Sequence, residues 1–118
     1  MLGWHWILDA RDCDRGALRD REIVRTAITG LPAALGLTRV GEPQLFTHED
    51  PEGGTVLAGM TLIAESHFSL HARPEHGGLH ADLFSCKRFD PAEARAFLQR
   101  LFRFGTCDEQ LLERGGAR

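Results

Sequence analysis

Hydrophobic and polar residues alternate along several short stretches of the chain, and a period of two predicts β-strands. The first stretch, "WHWILD" (4–9), places Trp4, Trp6 and Leu8 on one side, as in a strand with one buried face. Further strands are predicted in four segments rich in apolar and β-branched residues: 38–46, 55–65, 67–72 and 79–86. Turn-forming residues in "HEDPEGG" (48–54) separate two of these strands.

A helical period appears between the first two predicted strands. Segment 14–36 carries apolar residues three or four positions apart, which predicts one amphipathic helix. The apolar positions are Leu18, Ile23, Val24, Ala27, Ile28 and Leu31. Gly30 and Pro32 are expected to end or kink this helix, because glycine lacks a side chain and proline lacks a backbone N–H.

A second helix is predicted in "DPAEARAFLQRLFRFG" (90–105), with Asp90 as its N-cap and Pro91 in the first helical position. The tail that follows, 108–118, is expected to be short, with frayed last residues. The element order is thus strand, helix, several antiparallel strands and helix. This order predicts an α+β fold, a two-layer sandwich of one antiparallel sheet with helices packed on one face.

Composition narrows the class of protein. A chain of 118 residues, 42% hydrophobic and 26% charged, fits a single domain spanning 1–118. The net charge of -3 gives no electrostatic reason to expect nucleic acid or a membrane as a partner. No apolar run approaches the roughly 20 residues of a transmembrane helix, and the N-terminus lacks the pattern of a secretion signal.

The three cysteines also bear on location. They form no CxxC pair, so a disulfide framework is not expected, and a reducing cytoplasm suits them. Cys13 and Cys107 have no partner pattern and are expected to be packing residues. We therefore expect a cytoplasmic protein.

Four of the six histidines fall within the stretch "ESHFSLHARPEHGGLHADLFSC" (65–86), at positions 67, 71, 76 and 80. Histidine clusters can bind zinc, but His67 and His71 on one strand would lie about 13 Å apart at roughly 3.3 Å per residue. A metal site assembled from neighbouring strands stays an alternative. The simpler interpretation places His76 and His80 at a turn or on a solvated sheet face.

The same stretch resembles the core motif of the bacterial and archaeal S-adenosylmethionine decarboxylases, which are pyruvoyl-dependent enzymes made as proenzymes. The motif residues kept with the same spacing are Glu65, Ser66, His67, His71, Pro74, Glu75, Asp82, Phe84 and Cys86. "WILDARDCDRGAL" and "FDPAEARAFLQRL" are similar to the first strand and the later helix of that family. The resemblance therefore covers most of the chain, and segment 65–86 is its specific part.

The resemblance implies that the chain cuts itself between Glu65 and Ser66. The Ser66 hydroxyl would attack the Glu65 carbonyl, and elimination would leave chain 1–65 and chain 66–118. The second chain would begin with a pyruvoyl group, whose ketone forms a Schiff base with the substrate amine and accepts its electrons. Decarboxylated S-adenosylmethionine would supply aminopropyl groups for spermidine and other polyamines.

The resemblance also assigns roles to single residues. His71 matches the base that accepts a proton during processing, and Cys86 matches the proton donor in decarboxylation. Glu75 matches a residue near the substrate, although it could equally cap its turn. His67 is expected to be structural. Family members build their active sites between two protomers, so a homodimer is expected.

Several positions depart from the family pattern and leave alternatives open. Arg73 replaces a tryptophan, Ala58 replaces a serine that assists processing, and the loop 48–54 has no aromatic residue. The acidic side chains of this loop could receive a cationic substrate, or they could form a solvated turn. One alternative is therefore a pyruvoyl-dependent arginine or ornithine decarboxylase. A second is a non-catalytic homologue that acts as a binding or regulatory subunit.

Overall fold

The computed structural model describes residues 2–115, which form one six-stranded antiparallel sheet with helices on one side. The strands are β1 (Gly3–Arg11), β2 (Thr38–Glu49), β3 (Thr55–Ala64), β4 (Ser66–Arg73), β5 (Gly78–Ser85) and β6 (Thr106–Arg114). Their order across the sheet is β2-β3-β4-β5-β1-β6. All five predicted strands are present; β1, β2 and β4 are longer than predicted, β3 ends one residue earlier, and β5 is shifted by one residue toward the N-terminus.

Three helices, α1 (Arg15–Arg19), α2 (Arg21–Ala34) and α3 (Pro91–Phe102), cover one face of this sheet. The core between the layers contains the alternate, inward-facing residues of the strands, among them Trp6, Leu8, Phe68, Leu70 and Leu83, all fully buried. The predicted α+β sandwich is confirmed. No helix in the described part of the chain is long and apolar enough to span a membrane.

The prediction of one continuous helix over 14–36 is wrong at Asp20. The Asp20 carboxylate accepts hydrogen bonds from the backbone N–H groups of Glu22 and Ile23, so it caps the start of α2. The Asp20 backbone N–H donates to the Ala17 carbonyl and closes α1. One side chain thus divides the predicted helix into a short first helix and a long second one.

The sequence pattern predicts that Gly30 and Pro32 end or kink this helix; an end at either residue is wrong, because α2 continues to Ala34. A Cβ at Gly30 would lie 2.8 Å from the ring of Phe97, so this glycine permits the close approach of α3. Pro32 is buried against the core, and its carbonyl accepts the backbone N–H of Leu37 at 2.8 Å. Packing between the helices therefore overrides the local helix-breaking tendency.

The tail contains a sixth strand that the sequence pattern did not predict. β6 pairs with β1 along its whole length, from Arg11↔Thr106 to Gly3↔Arg114. The Glu109 carboxylate, which faces the helix layer, accepts a hydrogen bond from the Trp6 indole N–H at 2.9 Å and forms an ion pair with Arg95. The predicted fraying concerns residues 116–118, which lie outside the described residues.

In the described residues, the opposite face of the sheet carries no helix, and we call it the open face. It presents polar and aromatic side chains of the central strands: His5, Asp9, His67, Ser69, His71, His80, Asp82 and Phe84. Phe46, Met60 and Leu62 continue this face at the β2–β3 side and are 58%, 42% and 53% exposed. The open face therefore combines titratable groups with uncovered apolar surface.

Candidate active site

Ser66 stands at a tight turn between β3 and β4. It pairs with Ile63, so only Ala64 and Glu65 lie between the two paired positions. Glu65 is exposed and Ser66 is half-buried. The peptide bond between them is therefore at the surface of the sheet's end, where the chain reverses direction.

Cys86 lies beside Ser66, although 20 residues separate them in the chain. The Ser66 Oγ and the Cys86 Sγ are 3.8 Å apart, within the range for a hydrogen bond that involves sulfur. Their strands bring them together, since Ser66 pairs with Ser85 in the β4–β5 register. The structure thus brings the predicted cleavage serine and the predicted proton donor into contact.

A turn built by Ser85 fixes the position of this thiol. The Ser85 side chain is fully buried, and its hydroxyl accepts the backbone N–H of Lys87 at 3.0 Å and donates to the Lys87 carbonyl at 2.8 Å. The Lys87 ammonium donates to the Gly36 carbonyl at 2.8 Å, which ties the turn to the end of α2. Cys86, enclosed between these two residues, is therefore held by side-chain and backbone bonds on both sides.

His71 is not close to Ser66 in the same chain. Both residues belong to the continuous strand β4, and five steps at roughly 3.3 Å put their Cα atoms about 16 Å apart. In the sheet, Ala58 of β3 and His80 of β5 stand directly opposite His71, one on each side. Burial, followed by the nearby charges of His80 and His48, lowers the pKa of His71 below its ordinary value.

His71 borders a cavity of about 390 Å³ on the open face. Its other polar walls are His48, Asp50, Glu52, Arg73 and His80. Among these residues, a lowered pKa is resolved for His71 and Asp50 and a raised pKa for Arg73. The cavity therefore combines a histidine that tends to be neutral with a strongly bound ion pair.

That ion pair joins the loop before β3 to the end of β4. The Arg73 guanidinium donates two hydrogen bonds to the Asp50 carboxylate, at 2.7 and 3.0 Å, and a third to Glu52 at 2.8 Å. The bond from Arg73 and the Glu52 backbone N–H lower the pKa of Asp50 to about 2. The Asp50 carboxylate is thus neither solvated nor open to a ligand. The guanidinium of Arg73 stands where the family pattern has the aromatic side chain of a tryptophan.

Glu75 lies elsewhere. Its carboxylate accepts a hydrogen bond from Arg19 of α1 at 3.2 Å, and it borders a different cavity together with Arg19 and Arg21. Its side chain also packs against Gly54, where an added Cβ would lie 2.0 Å from the Glu75 Cγ. In this structure Glu75 therefore anchors the β4–β5 connection to α1 and to the loop before β3.

The other histidines occupy separate places on the sheet. His67 packs at the ring of Phe84, with centroids 6.0 Å apart, in keeping with a structural role. His80 contacts Asp9 at 2.7 Å and His5 contacts Asp82 at 3.0 Å. Within residues 2–115, no group of three or more His, Cys, Asp or Glu side chains is placed to hold a metal ion.

Cys13 and Cys107 are remote from Ser66 and take part in packing. Cys13 is buried in the core, and burial raises the pKa of its thiol to about 11. Cys107 packs against the core from β6, and burial raises the pKa of its thiol as well. Both thiols therefore tend to stay protonated, as expected of packing residues.

The fold and the site together define a class: a two-layer α+β protein with a serine–cysteine pair at the end of its sheet. The family model described as S-adenosylmethionine decarboxylase matches residues 4–115. The chain belongs to the S-adenosylmethionine decarboxylase family, and the resemblance found in segment 65–86 is confirmed.

Individual relatives agree with this family. The S-adenosylmethionine decarboxylase proenzyme of Prochlorococcus marinus (strain MIT 9313) is 41% identical over 87 residues, which are 73% of this chain. That alignment spans 65% of the relative's length, and the one with Synechococcus sp. (strain WH7803) spans 63%, so this chain matches just under two thirds of these proteins. The proenzyme of Archaeoglobus fulgidus is 30% identical over 98% of this chain and 99% of its own.

A solved structure is similar over nearly the whole fold. The crystal structure of the adenosylmethionine decarboxylase from Aquifex aeolicus VF5 aligns with a TM-score of 0.79 and 26% identity. The alignment covers 99% of this chain and 93% of that one. The sheet and the helix layer described above are therefore shared with that decarboxylase.

Proposed function

We propose that the chain is a pyruvoyl-dependent decarboxylase of S-adenosylmethionine that activates itself by cleavage between Glu65 and Ser66. The observation that carries this proposal is the contact of 3.8 Å between the Ser66 Oγ and the Cys86 Sγ at an exposed turn. The names of the relatives support the substrate. The product would supply aminopropyl groups for polyamines such as spermidine, in the cytoplasm.

The cleavage chemistry follows from the position of the serine. The Ser66 oxygen attacks the Glu65 carbonyl carbon, and the peptide bond becomes an ester. A base then removes the Ser66 α-proton, the electron pair forms a Cα=Cβ double bond, and the Glu65 carboxylate leaves with the ester oxygen. Water converts the resulting dehydroalanine into a pyruvoyl group and releases ammonia. The half-buried Ser66 at a turn suits these steps, because the new ends can move apart.

His71 is the proposed base, and the separation of about 16 Å along β4 argues for a second subunit. We propose a homodimer in which the open faces pack together, so that His71 of the partner subunit reaches Ser66. The uncovered Phe46, Met60 and Leu62 support this packing, because contiguous exposed apolar residues mark interaction surfaces. The two active sites would then be equivalent by twofold symmetry.

The decarboxylation step relies on Cys86. The pyruvoyl group at position 66 would supply an electron-accepting carbonyl, and the neighbouring thiol fits such a group because it can donate a proton at short range. Cys86 would deliver its proton to the substrate's α-carbon after carbon dioxide leaves. The Ser85 turn would keep the thiol in line for this transfer.

A second candidate substrate is a basic amino acid such as arginine or ornithine. The observation that favours it is the ion-pair network of Arg73 with Asp50 and Glu52, which stands where the family has an aromatic residue. Asp50 is enclosed by Arg73, but the carboxylate of Glu52 is largely exposed at this wall of the cavity and can attract a cationic side chain.

The substrate is tested by measuring carbon dioxide release from S-adenosylmethionine, arginine and ornithine with the purified, cleaved protein. We expect release from S-adenosylmethionine and little from the two amino acids. Release from arginine or ornithine alone would replace the first substrate with the second candidate. A cleaved protein that releases carbon dioxide from none of the three would contradict the decarboxylase assignment for these substrates.

The cleavage rate is expected to depend on pH through His71. The pKa of His71 is lowered from 6.5, mainly by burial, and only the neutral imidazole can accept the α-proton of Ser66. Cleavage should therefore remain fast at pH 6.5 and slow down only as the pH falls through the lowered pKa. Time courses of freshly synthesised chain at several pH values measure this. A half-maximal rate above pH 6.5 would contradict the assigned base.

A further inference from the structure

Four residues form a straight row across the open face. Ala58, His71, His80 and Asp9 stand directly opposite one another in the registers of β3–β4, β4–β5 and β5–β1. Side chains at such positions have Cβ atoms about 4.5–5.5 Å apart. His71 therefore has a methyl group on one side and an imidazole on the other, so only His80 offers it a hydrogen-bonding partner within this row.

Asp9 determines how His80 can act. The His80 Nδ1 contacts the Asp9 carboxylate at 2.7 Å, and because the carboxylate only accepts, the proton lies on Nδ1. The Nε2 of His80 is the nitrogen that Asp9 does not contact; it lies 3.8 Å from the position that a Cβ on Gly78 would take, and within residues 2–115 no hydrogen bond joins it to His71, which stands opposite on β4. His80 and His71 also border the same cavity on the open face.

We propose that His80, oriented by Asp9, is a positioning residue for the processing base His71. The inference rests on the proposed function. A turn of the His71 ring toward β5 on formation of the dimer would let the His80 Nε2 accept its N–H. This bond would fix the tautomer of His71 and leave its other nitrogen free to take the Ser66 α-proton from the partner subunit. When His71 becomes an imidazolium, the Asp9 carboxylate at the end of the row stabilises the new positive charge.

The other histidines of this face do not fit the same role. His48 borders the cavity, but its Nδ1 contacts the carbonyl of Glu49, and it pairs with Val56 rather than with a position in the row. His5 forms an equivalent pair with Asp82 at 3.0 Å, yet the residue opposite it on β5 is Phe84. The His5–Asp82 pair is therefore a matched control for the His80–Asp9 pair.

The test follows cleavage of full-length chain made by cell-free synthesis, using intact mass under denaturing conditions at successive times. His80→Ala should slow cleavage by about tenfold or more, by analogy with the range found for residues that orient metal-binding histidines. Asp9→Asn, which keeps the shape but loses the anionic acceptor, should slow it similarly. His5→Ala should cleave at the wild-type rate.

Restoring cleavage by a substitution on β3, the other neighbour of His71, distinguishes loss of positioning in His80→Ala from structural damage. A hydroxyl introduced by Ala58→Ser stands opposite His71 and can accept its N–H in place of His80. The double variant Ala58→Ser/His80→Ala should therefore cleave faster than His80→Ala alone, by a larger factor than Ala58→Ser accelerates the otherwise wild-type chain. Equal rates for His80→Ala and wild type would overturn the inference, as would a slow His80→Ala variant that Ala58→Ser does not accelerate. An uncleaved wild-type chain would instead overturn the proposed function itself.

Discussion

A Ser66→Ala chain and a His71→Ala chain, each uncleaved alone, should yield cleaved product when they are produced together. The expectation follows from the distance of about 16 Å between the two positions on β4, which a proton transfer within one chain cannot bridge. In a mixed dimer, the intact Ser66 of one chain meets the intact His71 of the other. One of the two sites is then complete.

The arrangement also predicts which chain is cut. Only the His71→Ala chain retains the serine, so it alone should give the two fragments, and random pairing of equal amounts allows about half of these chains to be cleaved. Tags of different mass on the two chains distinguish them by intact mass under denaturing conditions. Cleavage of His71→Ala alone would remove His71 as the base. Failure of the mixture to cleave would contradict the shared site.

Cys86→Ala should leave cleavage largely intact and reduce kcat of decarboxylation by about 10²–10⁴-fold, the usual contribution of a placed acid. The reason is the position of the thiol, 3.8 Å from the Ser66 oxygen and held by the Ser85 turn. Carbon dioxide release by the cleaved variant measures the loss. When the reaction is run in heavy water, the incorporation of deuterium at the product's α-carbon reports the proton transfer directly.

Cys107→Ala is the matched control for this substitution. Cys107 is a half-buried thiol on β6 and takes no part in the proposed site, so its replacement should leave kcat unchanged. Cys86→Ser keeps a small hydroxyl donor of lower acidity, and an intermediate rate is expected. Wild-type turnover by cleaved Cys86→Ala would show that another group returns the proton.

The sequence pattern predicted the central strands and α3 because these elements bury one regular face. Phe68, Leu70 and Ala72 alternate with polar residues in β4, and Ala94, Leu98 and Phe102 repeat at helical spacing in α3. β6 was missed because one of its positions facing the helix layer is Glu109. That carboxylate is satisfied by Trp6 and Arg95, and neither contact is visible in the local pattern.

The helix errors have the same origin. The division at Asp20 depends on whether a carboxylate caps one helix or lies on the surface of a longer one, and both are compatible with the sequence. Gly30 stays inside α2 because the ring of Phe97, 67 residues later, occupies the space of its missing side chain. Contacts between distant segments decide such cases.

The candidate site likewise contains residues that the sequence predicted and contacts that it did not. The motif spacing predicted Ser66 and Cys86 as functional residues, and their contact requires the hairpin and the β4–β5 register. The roles of Asp9 and of the Arg73–Asp50 pair could not be predicted, because they depend on partners 71 and 23 positions away. In the sequence, the row on the open face was indicated only by Asp9, which stands at an outward-facing position in the alternating pattern of β1.

The most direct measurement is the intact mass of the purified wild-type protein under denaturing conditions. The account predicts two fragments that divide after Glu65, the second lighter by one ammonia than a fragment that begins with serine. Reduction with borohydride in the presence of an amine ligand should then attach that ligand at position 66. A single chain of full mass, with no labelling at this position, would contradict the conversion of Ser66 into a carbonyl group.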